Sequence, residues 1–584
     1  MQPASRVAVM LFLFAVSGCG VGVATMEEAT TSRRPVGDAG APAVDAGSPV
    51  VDAGTPVVDA GTPVVDAGTP AVDAGTPAVD AGTSTTDLTL SVNTGAQVRP
   101  ISRYIYGKNF NGSTWQSQPH LTLNRLGGNR WTAYNWENNA SNAGLDFNFQ
   151  NDNYLGGADV PGEAVRAPVA TSQSFGGATI VTVPIAGWVA ADKLGTNVTG
   201  QPLTTRFRQD VAVKPTAAVY PPSLTDAVVY QDEFVTWLEQ RFPTAHQDPA
   251  REIFYSLDNE PDLWSDTHSE IHPQAVTYAE LLSKSVEYAS TVKRVAPAAK
   301  VFGAVSYGYA GYVNLQSAPD ANGRDFLDFF LDGMRTAGTG AGARLMDVLD
   351  LHWYPEARGG GVRVIGEGTG AALEAARVQA PRSLWDPTYV ESSWITSSLG
   401  NQPIHLLPTM QAKIAAHYPG TLLAFTEYYY GGGAHISGAV AQADVLGIFG
   451  REGVFAAALW PMTSDIRFID AAFRMFRNFD GAGANFGDTS VSATTSDAAT
   501  ASVYASLDTT TAGRVVLVIV NKATTAKTAS LAVTHSLGLT RAEVYQLTSA
   551  SAAPVRGADV LASQPNAFRL TLPAMSVTTL LLLP

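Results

Sequence analysis

Short apolar, β-branched runs alternate with amphipathic stretches between residues 101 and 480. Pro, Gly or polar residues follow these runs, as they follow strands at turns. Eight runs fit strands: Tyr104–Asn109, Leu121–Leu126, Thr179–Ile185, Glu252–Leu257, Lys300–Val305, Met346–Trp353, Leu422–Glu427 and Val454–Trp460. Helical periodicity marks five intervening stretches: Asp232–Phe242, Ala275–Val295, Phe326–Thr336, Thr409–His417 and Ala439–Phe449. This α/β pattern predicts a (β/α)8 barrel of the TIM type with long insertions.

An open, doubly wound parallel sheet is the competing architecture for alternating strands and helices. Such a sheet carries a Gly-rich phosphate-binding turn after its first strand. No segment of the chain resembles that turn. The closed barrel is therefore the favoured prediction.

The C-terminal hundred residues have a different pattern, with alternating strand-like runs separated by Thr-, Ser- and Ala-rich turns. The runs are Val503–Leu507, Arg514–Asn521, Ala529–Val533, Arg541–Gln546 and Phe568–Leu583. They predict an all-β sandwich over residues 481–584, beside a catalytic barrel over residues 101–480. Residues 87–100, with Leu88–Val92 as a strand, are expected to join the sandwich.

The N-terminus is typical of an exported lipoprotein. Residues 1–18 contain Arg6 followed by an apolar stretch that is too short to span a bilayer, as in a signal peptide. The stretch ends in Val16–Cys19, which resembles a bacterial lipobox. We therefore predict lipidation at Cys19 and a cell-surface or outer-membrane location, with ordinary secretion as the alternative.

Residues 19–86 contain a seven-residue repeat built on Asp-Ala-Gly and Pro. Pro and Gly in each unit forbid a continuous helix, and the repeat has no Leu seam of a coiled coil. Its aspartates have no basic residues among them, so we expect a solvated, disordered tether.

Composition excludes several classes of function. The formal charge of -15 argues against nucleic acid as a partner, whereas a neutral polysaccharide fits a weakly charged fold. Cys19 is the single cysteine, so the chain cannot form an intrachain disulfide or a zinc site built on several thiolates. Nothing in the sequence indicates an oligomer, and we expect a monomer.

Two glutamates follow apolar strand-like runs. Glu260 comes after Ile253–Leu257, and Glu427 ends Leu422–Glu427. The C-terminal ends of barrel strands form the active-site face of this fold, where two carboxylates can cleave a glycosidic bond. The alternative for either residue is a helix cap or a buried ion pair.

The chemistry requires one protonated carboxyl and one ionised carboxylate. Glu260 is the candidate acid/base because the preceding Asn259 can hydrogen-bond the sugar 2-hydroxyl. Glu427 is the candidate nucleophile, and Tyr354 is a candidate to orient it. A separation of about 5–5.5 Å would retain the anomeric configuration, and about 6.5–9.5 Å would invert it.

Several motifs resemble glycoside hydrolase family 44. They are Asn124–Gly144, Leu257–Trp264, Asp350–Glu356, Thr426–Tyr428 and the run from Ile436 to Pro461. The resemblance implies a barrel with a β-sandwich and a retaining endo-β-1,4-glucanase, often also active on xyloglucan. It also implies Glu260 as acid/base and Glu427 as nucleophile. Tyr429 departs from the family pattern, which has Asn after Glu-Tyr.

Other residues are candidates for binding substrate. Arg125 ends the second predicted strand and could keep Glu427 ionised, and His352 could hydrogen-bond substrate or brace its strand. Aromatic rings can stack on pyranose faces, although large aromatics are more often core residues. The aromatic candidates are Trp131, Trp136, Trp264 and Trp460.

The predicted reaction requires no cofactor. Asp146–Asn153 is rich in oxygen ligands and could hold a structural calcium ion, although its spacing is not that of an EF-hand. The alternative functions are a xyloglucan- or mannan-specific endo-hydrolase and a catalytically silent glycan-binding lipoprotein.

Overall fold

A closed parallel barrel forms the centre of the molecule in the computed structural model, which describes residues 86–109 and 120–584. Its strands are β1 (Gly107–Asn109), β2 (Leu123–Leu126), β3 (Ala178–Val183), β4 (Ile253–Leu257), β5 (Val301–Ser306), β6 (Val348–Trp353), β7 (Leu422–Tyr428) and β8 (Ala456–Leu459). Each strand pairs with the next, and β8 pairs with β1. This confirms the predicted (β/α)8 barrel and excludes the open sheet.

Helices connect the strands on the outside of the barrel. The longer helices are Glu163–Ser174, Gln231–Arg241, Tyr278–Val295, Phe326–Ala341, Ala371–Gln379, Leu406–His417, Ile436–Glu452 and Arg467–Arg477. Local capping fixes several ends: the Thr277 side chain accepts from the Glu280 N–H, and the Asp325 side chain accepts from the Asp328 N–H.

Shorter elements occur in the loops. The short helices are Arg103–Ile105, Asn129–Thr132, Gly144–Phe147, Leu203–Arg206, Ala245–Gln247, Pro261–Leu263, Trp264–Thr267, Tyr309–Asn314, Ala380–Leu384 and Trp394–Ser398. The small strands are Ser141–Asn142, Gln150–Asp152, Trp188–Ala190, Thr196–Asn197, Phe207–Val211, Val228–Tyr230, Arg358–Gly359 and Val362–Arg363. Several of these elements, such as Asn129–Thr132 and Pro261–Leu263, follow the C-terminal ends of barrel strands, whereas Arg103–Ile105 and Ala245–Gln247 precede strands.

Buried apolar side chains fill the N-terminal end of the barrel. They come from the first residues of the strands and include Leu123, Ile180, Phe254, Phe302 and Val348. The rings of Phe254 and Phe302 lie 5.4 Å apart. Because this end is packed with hydrocarbon, polar strand residues are concentrated at the opposite end.

A second, all-β part follows the barrel. Its strands are Leu88–Asn93, Arg99–Pro100, Thr489–Thr495, Ala501–Leu507, Val515–Asn521, Lys527–Thr534, Arg541–Thr548, Ser551–Arg556, Val560–Leu561, Ala567–Leu572 and Ser576–Leu583. They fold around a shared core that includes Leu90, Leu517, Leu531 and Leu580. The predicted additional sandwich is therefore present in the fold.

The N-terminal strand Leu88–Asn93 lies inside this second part. It pairs antiparallel with Thr489–Thr495 and parallel with Lys527–Thr534. The run Phe568–Leu583, expected as one strand, forms two, Ala567–Leu572 and Ser576–Leu583. Pro573 follows the first of these strands, and its missing N–H ends the ladder.

Helix Ile436–Glu452, between β7 and β8 of the barrel, packs against the sandwich. Its Asp444 forms an ion pair of 2.8 Å with Lys522, and both side chains are fully buried. The Tyr504 hydroxyl donates to the same carboxylate at 2.6 Å. Charges removed from water in this way require their partners, which links the two parts specifically.

The predicted signal peptide, the lipidation site at Cys19 and the repeat tether lie outside the described residues. Among the described residues, no helix has the length and apolar character needed to cross a bilayer.

Candidate active site

Glu260 and Glu427 lie close together at the C-terminal end of the barrel. Glu427 belongs to β7, and Glu260 lies in the turn after β4. One carboxylate oxygen of each lies within 4.8 Å of the other and of a ring nitrogen of His352. Both residues are nearly buried, at 8% and 5% exposure. Two strand ends far apart in sequence thus bring two acidic groups across one narrow gap.

Glu427 is held at both carboxylate oxygens. Arg125 Nη1 donates to Oε1 at 2.6 Å, and the Tyr354 hydroxyl donates to Oε2 at 2.8 Å. A buried guanidinium stabilises the ionised form of a carboxylate, and so does a hydrogen bond to it. The arrangement therefore favours a fixed, negatively charged Glu427.

Arg125, at the end of β2, is itself held in place. Nη1 also donates to Asn109 Oδ1 at 3.2 Å, and Nη2 donates to Asn259 Oδ1 at 2.9 Å. A Cβ on Gly127 would lie 2.2 Å from the Arg125 guanidinium carbon, so only glycine leaves room for this side chain. The guanidinium thus connects the turn after β4 to the end of β7.

The turn that carries Glu260 has an unusual backbone. Asp258 and Glu260 have φ values of 66° and 43°, in the left-handed region that residues with a Cβ rarely adopt. Such strain persists where surrounding contacts over-determine the conformation, as at many functional sites.

Asp258 supplies those contacts. Its buried carboxylate accepts from the Thr132 hydroxyl at 2.7 Å and from the backbone N–H groups of Ile185 and Ala186 at 2.7 and 3.1 Å. It also accepts from its neighbour Asn259 N–H at 2.8 Å and from the Trp264 indole at 3.3 Å. These donors belong to several elements of the barrel, and together they anchor the turn.

The two glutamates differ in their electrostatics. Burial raises the pKa of Glu260 well above its usual range, and the charge of Glu427 raises it further. Burial also raises the pKa of Glu427, but the charge of Arg125 and the hydrogen bonds from Arg125 and Tyr354 oppose that increase. With one negative charge to share, Glu427 holds it and Glu260 keeps the proton.

His352, on β6, contacts the pair through its ring. Its Nδ1 is hydrogen-bonded to Glu260 Oε1 at 2.7 Å. The ring is fully buried, and burial lowers its pKa well below the usual range, with Arg125 lowering it further. A neutral imidazole therefore contacts the carboxyl that keeps the proton.

Asn259 is fixed by the protein. Its Oδ1 accepts from Arg125 and from the Gly128 N–H at 3.1 Å, and its Nδ2 donates to Asn129 Oδ1 at 3.3 Å. The side chain is 2% exposed. The amide therefore lies beside Glu260 in a single orientation.

The aromatic candidates differ in exposure. Trp136 and Trp264 are fully buried, and Trp131 is 2% exposed, so their prediction as sugar-stacking platforms is wrong. Trp136 stacks on Phe234, and the Trp264 indole donates to Asp258. Their polar sequence neighbours do not indicate exposure, because Asn135, Glu137 and Asp262 are buried as well.

Trp460, after β8, is partly exposed and packs against Gly128. A Cβ there would lie 2.4 Å from the indole, and the φ of 89° also requires glycine. A second exposed ring, missed in the sequence, is Trp394 at 47% exposure, which lies edge-on to Tyr309.

The carboxylates of the oxygen-rich segment Asp146–Asn153 are hydrogen-bonded to protein donors. Asp152 forms hydrogen bonds of 2.6 and 2.7 Å with Arg130, and Asp146 accepts from Asn129 at 2.9 Å. Arg130 neutralises Asp152, and a calcium ion would have to displace these donors.

Glu260, His352 and Glu427 are the one group of three potential metal ligands found among residues 86–109 and 120–584. Arg125 occupies one oxygen of Glu427 and places a positive charge there. The hydrogen bonds of this group suit proton transfer better than the binding of a divalent cation.

Comparison with known proteins identifies the family. The sequence profile of glycoside hydrolase family 44 matches residues 140–357. The structure of a family 44 xyloglucanase from Paenibacillus polymyxa with xyloglucan is 39% identical, with a TM-score of 0.81 over 85% of this chain and 99% of that one. The chain belongs to glycoside hydrolase family 44. The resemblance predicted from the motifs is confirmed.

Two characterised relatives are longer than this chain. Endoglucanase A of Paenibacillus lautus is 43% identical over 454 residues, which are 75% of this chain and 64% of the relative. Beta-mannanase/endoglucanase A of Caldicellulosiruptor saccharolyticus is 40% identical over 512 residues, which are 83% of this chain and 38% of the relative. The chain therefore spans less than two thirds of the length of either.

Tyr429, the departure from the family 44 pattern, links two loops. Its side chain is buried, and its hydroxyl donates to Glu367 Oε1 in the loop after β6. Glu367 Oε2 accepts from the Gly433 N–H at 2.7 Å. Arg377 supports that loop by donating to the carbonyls of Gly366 and Gly368 at 2.8 and 3.0 Å.

Sequence reasoning missed the residues that support the glutamates. Asn109, Asp258, Asp350 and Thr426 are buried polar residues within or beside barrel strands. Their signal was a polar residue inside an otherwise apolar run, since such a residue needs a buried partner.

Proposed function

We propose that this family 44 protein is a retaining endo-β-1,4-glucanase acting on cellulose-type glucans and xyloglucan. The observation that carries the proposal is the asymmetric environment of the pair: Arg125 and Tyr354 hold Glu427, while Glu260 faces a neutral imidazole. Glu260 is assigned as acid/base and Glu427 as nucleophile.

The first chemical step forms a glycosyl-enzyme. Glu260 gives its proton to the glycosidic oxygen as the bond from that oxygen to C1 breaks. The Glu427 carboxylate attacks C1 from the opposite face, and a covalent ester forms. In the second step, Glu260 takes a proton from water, which attacks C1 and releases Glu427. Two displacements retain the anomeric configuration.

The spacing supports this double displacement. Oxygens within 4.8 Å of each other are compatible with the separation of about 5–5.5 Å between carboxyl groups of retaining enzymes. An inverting enzyme needs about 6.5–9.5 Å, to leave room for a water between carboxyl and sugar. The reaction uses these carboxyls without a cofactor.

The substrate assignment rests on the relatives and on the site. The relatives are named as endoglucanases, a xyloglucanase and a mannanase/endoglucanase. We assign Trp460 as a stacking surface near the cleavage point, Trp394 as an outer one, and Asn259 as the group that contacts the 2-hydroxyl. β-Mannan is the alternative substrate, because one relative is a beta-mannanase/endoglucanase by name.

The decisive experiment traps the intermediate. Incubation with a 2-deoxy-2-fluoro cello-oligosaccharide that carries a good leaving group should label Glu427, as read by peptide mass spectrometry. Glu427→Gln and Glu260→Gln should lose most hydrolysis of carboxymethylcellulose and xyloglucan, by roughly a thousandfold or more. Glu287→Gln makes the same chemical change at an exposed helix position and should remain active.

Three outcomes would contradict the proposal. Label on another residue would reject the nucleophile assignment, and inverted product anomers in an NMR time course would reject the double displacement. Binding of oligosaccharides without hydrolysis by the intact protein would support the glycan-binding alternative. Rates on xyloglucan, unbranched glucan and mannan would rank the substrates.

We further propose that the protein is exported and lipid-anchored through Cys19, with residues 19–86 as a tether. The domain boundaries proposed are residues 101–480 for the catalytic barrel and 481–584, joined by 87–100, for the sandwich. The lipobox-like Val16–Cys19 supports the anchor. Cys19→Ser should abolish labelling by radioactive palmitate and release the protein from the membrane fraction; membrane retention of an unlabelled wild-type protein would reject the lipid anchor.

A further inference from the structure

Thr426 connects the candidate catalytic pair to a buried aspartate on the neighbouring strand. Its hydroxyl donates to Asp350 Oδ2 at 2.8 Å, and its backbone N–H donates to Asp350 Oδ1 at 3.2 Å. Both residues are fully buried. Asp350 therefore accepts a hydrogen bond from Thr426 on each of its two oxygens.

The Thr426 hydroxyl can donate one hydrogen bond, and it donates that bond to the Asp350 carboxylate. The same oxygen lies 3.4 Å from His352 Nε2, so it faces that nitrogen as an acceptor. Nε2 must then carry the ring proton. Since a neutral imidazole has a single N–H, Nδ1 is left with its lone pair.

The other side of the ring faces Glu260. Nδ1 and Glu260 Oε1 are 2.7 Å apart, a hydrogen-bond distance that requires one proton between them. An ionised Glu260 would place two acceptors in contact, whereas a carboxylic acid donates to Nδ1. The hydrogen-bond directions thus place the proton on Glu260.

We propose that Thr426 and Asp350 are positioning residues that fix His352 as its Nε2–H tautomer, and that this tautomer keeps the reactive proton on Glu260. The inference rests on the acid/base role proposed for Glu260. Thr426 and Asp350 act through His352 rather than on the sugar. Once Glu260 has given up its proton, the Nδ1 lone pair faces a carboxylate, and this repulsion favours recovery of a proton from the attacking water.

His352 is held in position for this role by its backbone. The Tyr312 hydroxyl donates to the His352 carbonyl, and β6 pairs with β7 on the side that carries Glu427. Neighbouring strands therefore set the distance from the ring to Thr426.

Other groups also bear on the ionisation of Glu260. Around it lie Glu427, Asp262, Asp146 and Tyr307, with Arg125 as the nearby cation. Burial raises the pKa of Asp350 to about 7, against the opposing effects of Arg125 and the Thr426 hydrogen bonds, so Asp350 is the acceptor from Thr426 above that pH. A valid test must leave all of these groups in place, and a change at the Thr426 hydroxyl does so.

The tautomer can be measured directly by nitrogen NMR of the full chain labelled with 15N-histidine. His352 is assigned from the signal that His352→Gln removes. We expect a protonated Nε2 and an unprotonated Nδ1 in the wild-type protein. A protonated Nδ1 would overturn the proposal, and this result does not depend on hydrolysis or on the stability of any Thr426 variant.

The second readout is the pH dependence of kcat/KM. Thr426→Val keeps the branched shape and removes the hydroxyl, so the Nδ1–H tautomer, which donates to an ionised Glu260, becomes competitive. The basic limb should move to lower pH by about one unit. Thr426→Ser keeps the hydroxyl and should keep the wild-type limb.

The outcomes separate this proposal from the assignment of function. An unchanged basic limb in Thr426→Val, or an equal shift in Thr426→Ser, would reject the positioning role while Glu260 remained the acid/base. Conversely, if Glu260→Gln retained full activity, the proposed function would fail, and the NMR spectrum would still report which nitrogen of His352 carries the proton.

Discussion

The Tyr354 hydroxyl lies 2.8 Å from Oε2 of Glu427, on the side of the carboxylate opposite Arg125. Tyr354 follows β6 directly, so the strand that carries His352 also supplies a donor to Glu427. One strand end thus contacts both members of the candidate pair. The two glutamates are held in different protonation states by two residues of a single segment, His352 and Tyr354.

Tyr354→Phe should raise the pKa of Glu427, because the hydroxyl stabilises the ionised form. The nucleophile is active when ionised, so the acidic limb of kcat/KM should move to higher pH. A hydrogen bond to a charged group is worth about 1.5–3 kcal/mol, so kcat/KM should fall roughly 10–100-fold.

The matched control for Tyr354→Phe is Tyr504→Phe. It removes a hydroxyl that donates to the buried Asp444, outside the active site. This control should lower stability without moving the acidic limb. An acidic limb left in place by Tyr354→Phe would exclude a role for this hydroxyl in ionising Glu427.

Asp258→Asn should damage both the turn and its glutamate. One carboxylate oxygen accepts from the Ile185 and Ala186 N–H groups and the other from the Asn259 N–H, whereas an amide offers only one oxygen. At least one buried donor would lose its partner, at a cost of about 1–3 kcal/mol in unfolding free energy.

The Asp258→Asn variant is tested by measuring both its unfolding in urea and its kcat. Since the strained φ values of Asp258 and Glu260 depend on these contacts, kcat should fall by more than the loss of folded protein explains. Asp248→Asn, at an exposed position, is the control. Normal kcat in a destabilised Asp258→Asn enzyme would show that Asp258 serves only folding.

The barrel could be predicted because its strands are buried on both faces. Such strands appear in sequence as continuous apolar runs, so all eight were located within a few residues. Helices Glu163–Ser174, Ala371–Gln379 and Arg467–Arg477 were missed. Pro168 interrupts the pattern of the first helix. The third, Arg467–Arg477, has a strongly amphipathic pattern with Phe468, Phe473 and Phe476 on its buried face, so its sequence did carry a readable signal.

The candidate site was predictable only in part. Glu260 and Glu427 were found from their strand ends, which the topology of a barrel brings together. The burial of Trp136 and Trp264 was not predictable, because it depends on packing partners that are distant in sequence, such as Phe234. The Asp350–Thr426–His352 network likewise joins two strands, and no local spacing encodes it.

His246 provides a pH-dependent contribution to stability at the N-terminal end of β4. Burial alone would lower its pKa, but hydrogen bonds to Glu239 and Glu252 outweigh burial and raise it to about 9. A folded-state pKa above the unfolded value of about 6.5 stabilises the fold when the ring is protonated. That contribution is complete below pH 6.5 and is lost as the pH rises through about 9.

His246→Gln should therefore lower the unfolding free energy most at pH 6, and the difference from wild type should shrink toward pH 10. Urea unfolding at several pH values checks this. His535→Gln, in the sandwich, is the control. A difference that does not vary with pH would show that His246 contributes packing rather than charge.

Tyr429→Phe should loosen the loop after β6 without touching either glutamate. The change removes the hydroxyl that donates to Glu367, while the Gly433 N–H still holds the second oxygen. We expect a loss of about 1.5–3 kcal/mol in unfolding free energy, as for other hydrogen bonds to charged groups. Because the same loop begins at Tyr354, KM for xyloglucan should also rise.

A double-mutant cycle decides whether this bond is the cause. Glu367→Ala removes the acceptor, so adding Tyr429→Phe to it should have little further effect on stability or KM. Tyr429→Asn, the residue that the resemblance to family 44 implies here, is too short to reach Glu367 and also empties the space of a buried ring, so it should lose more stability than Tyr429→Phe. Additive losses in the double mutant would show that Tyr429 acts through its packing and that the loops are joined chiefly by Arg377 and the backbone.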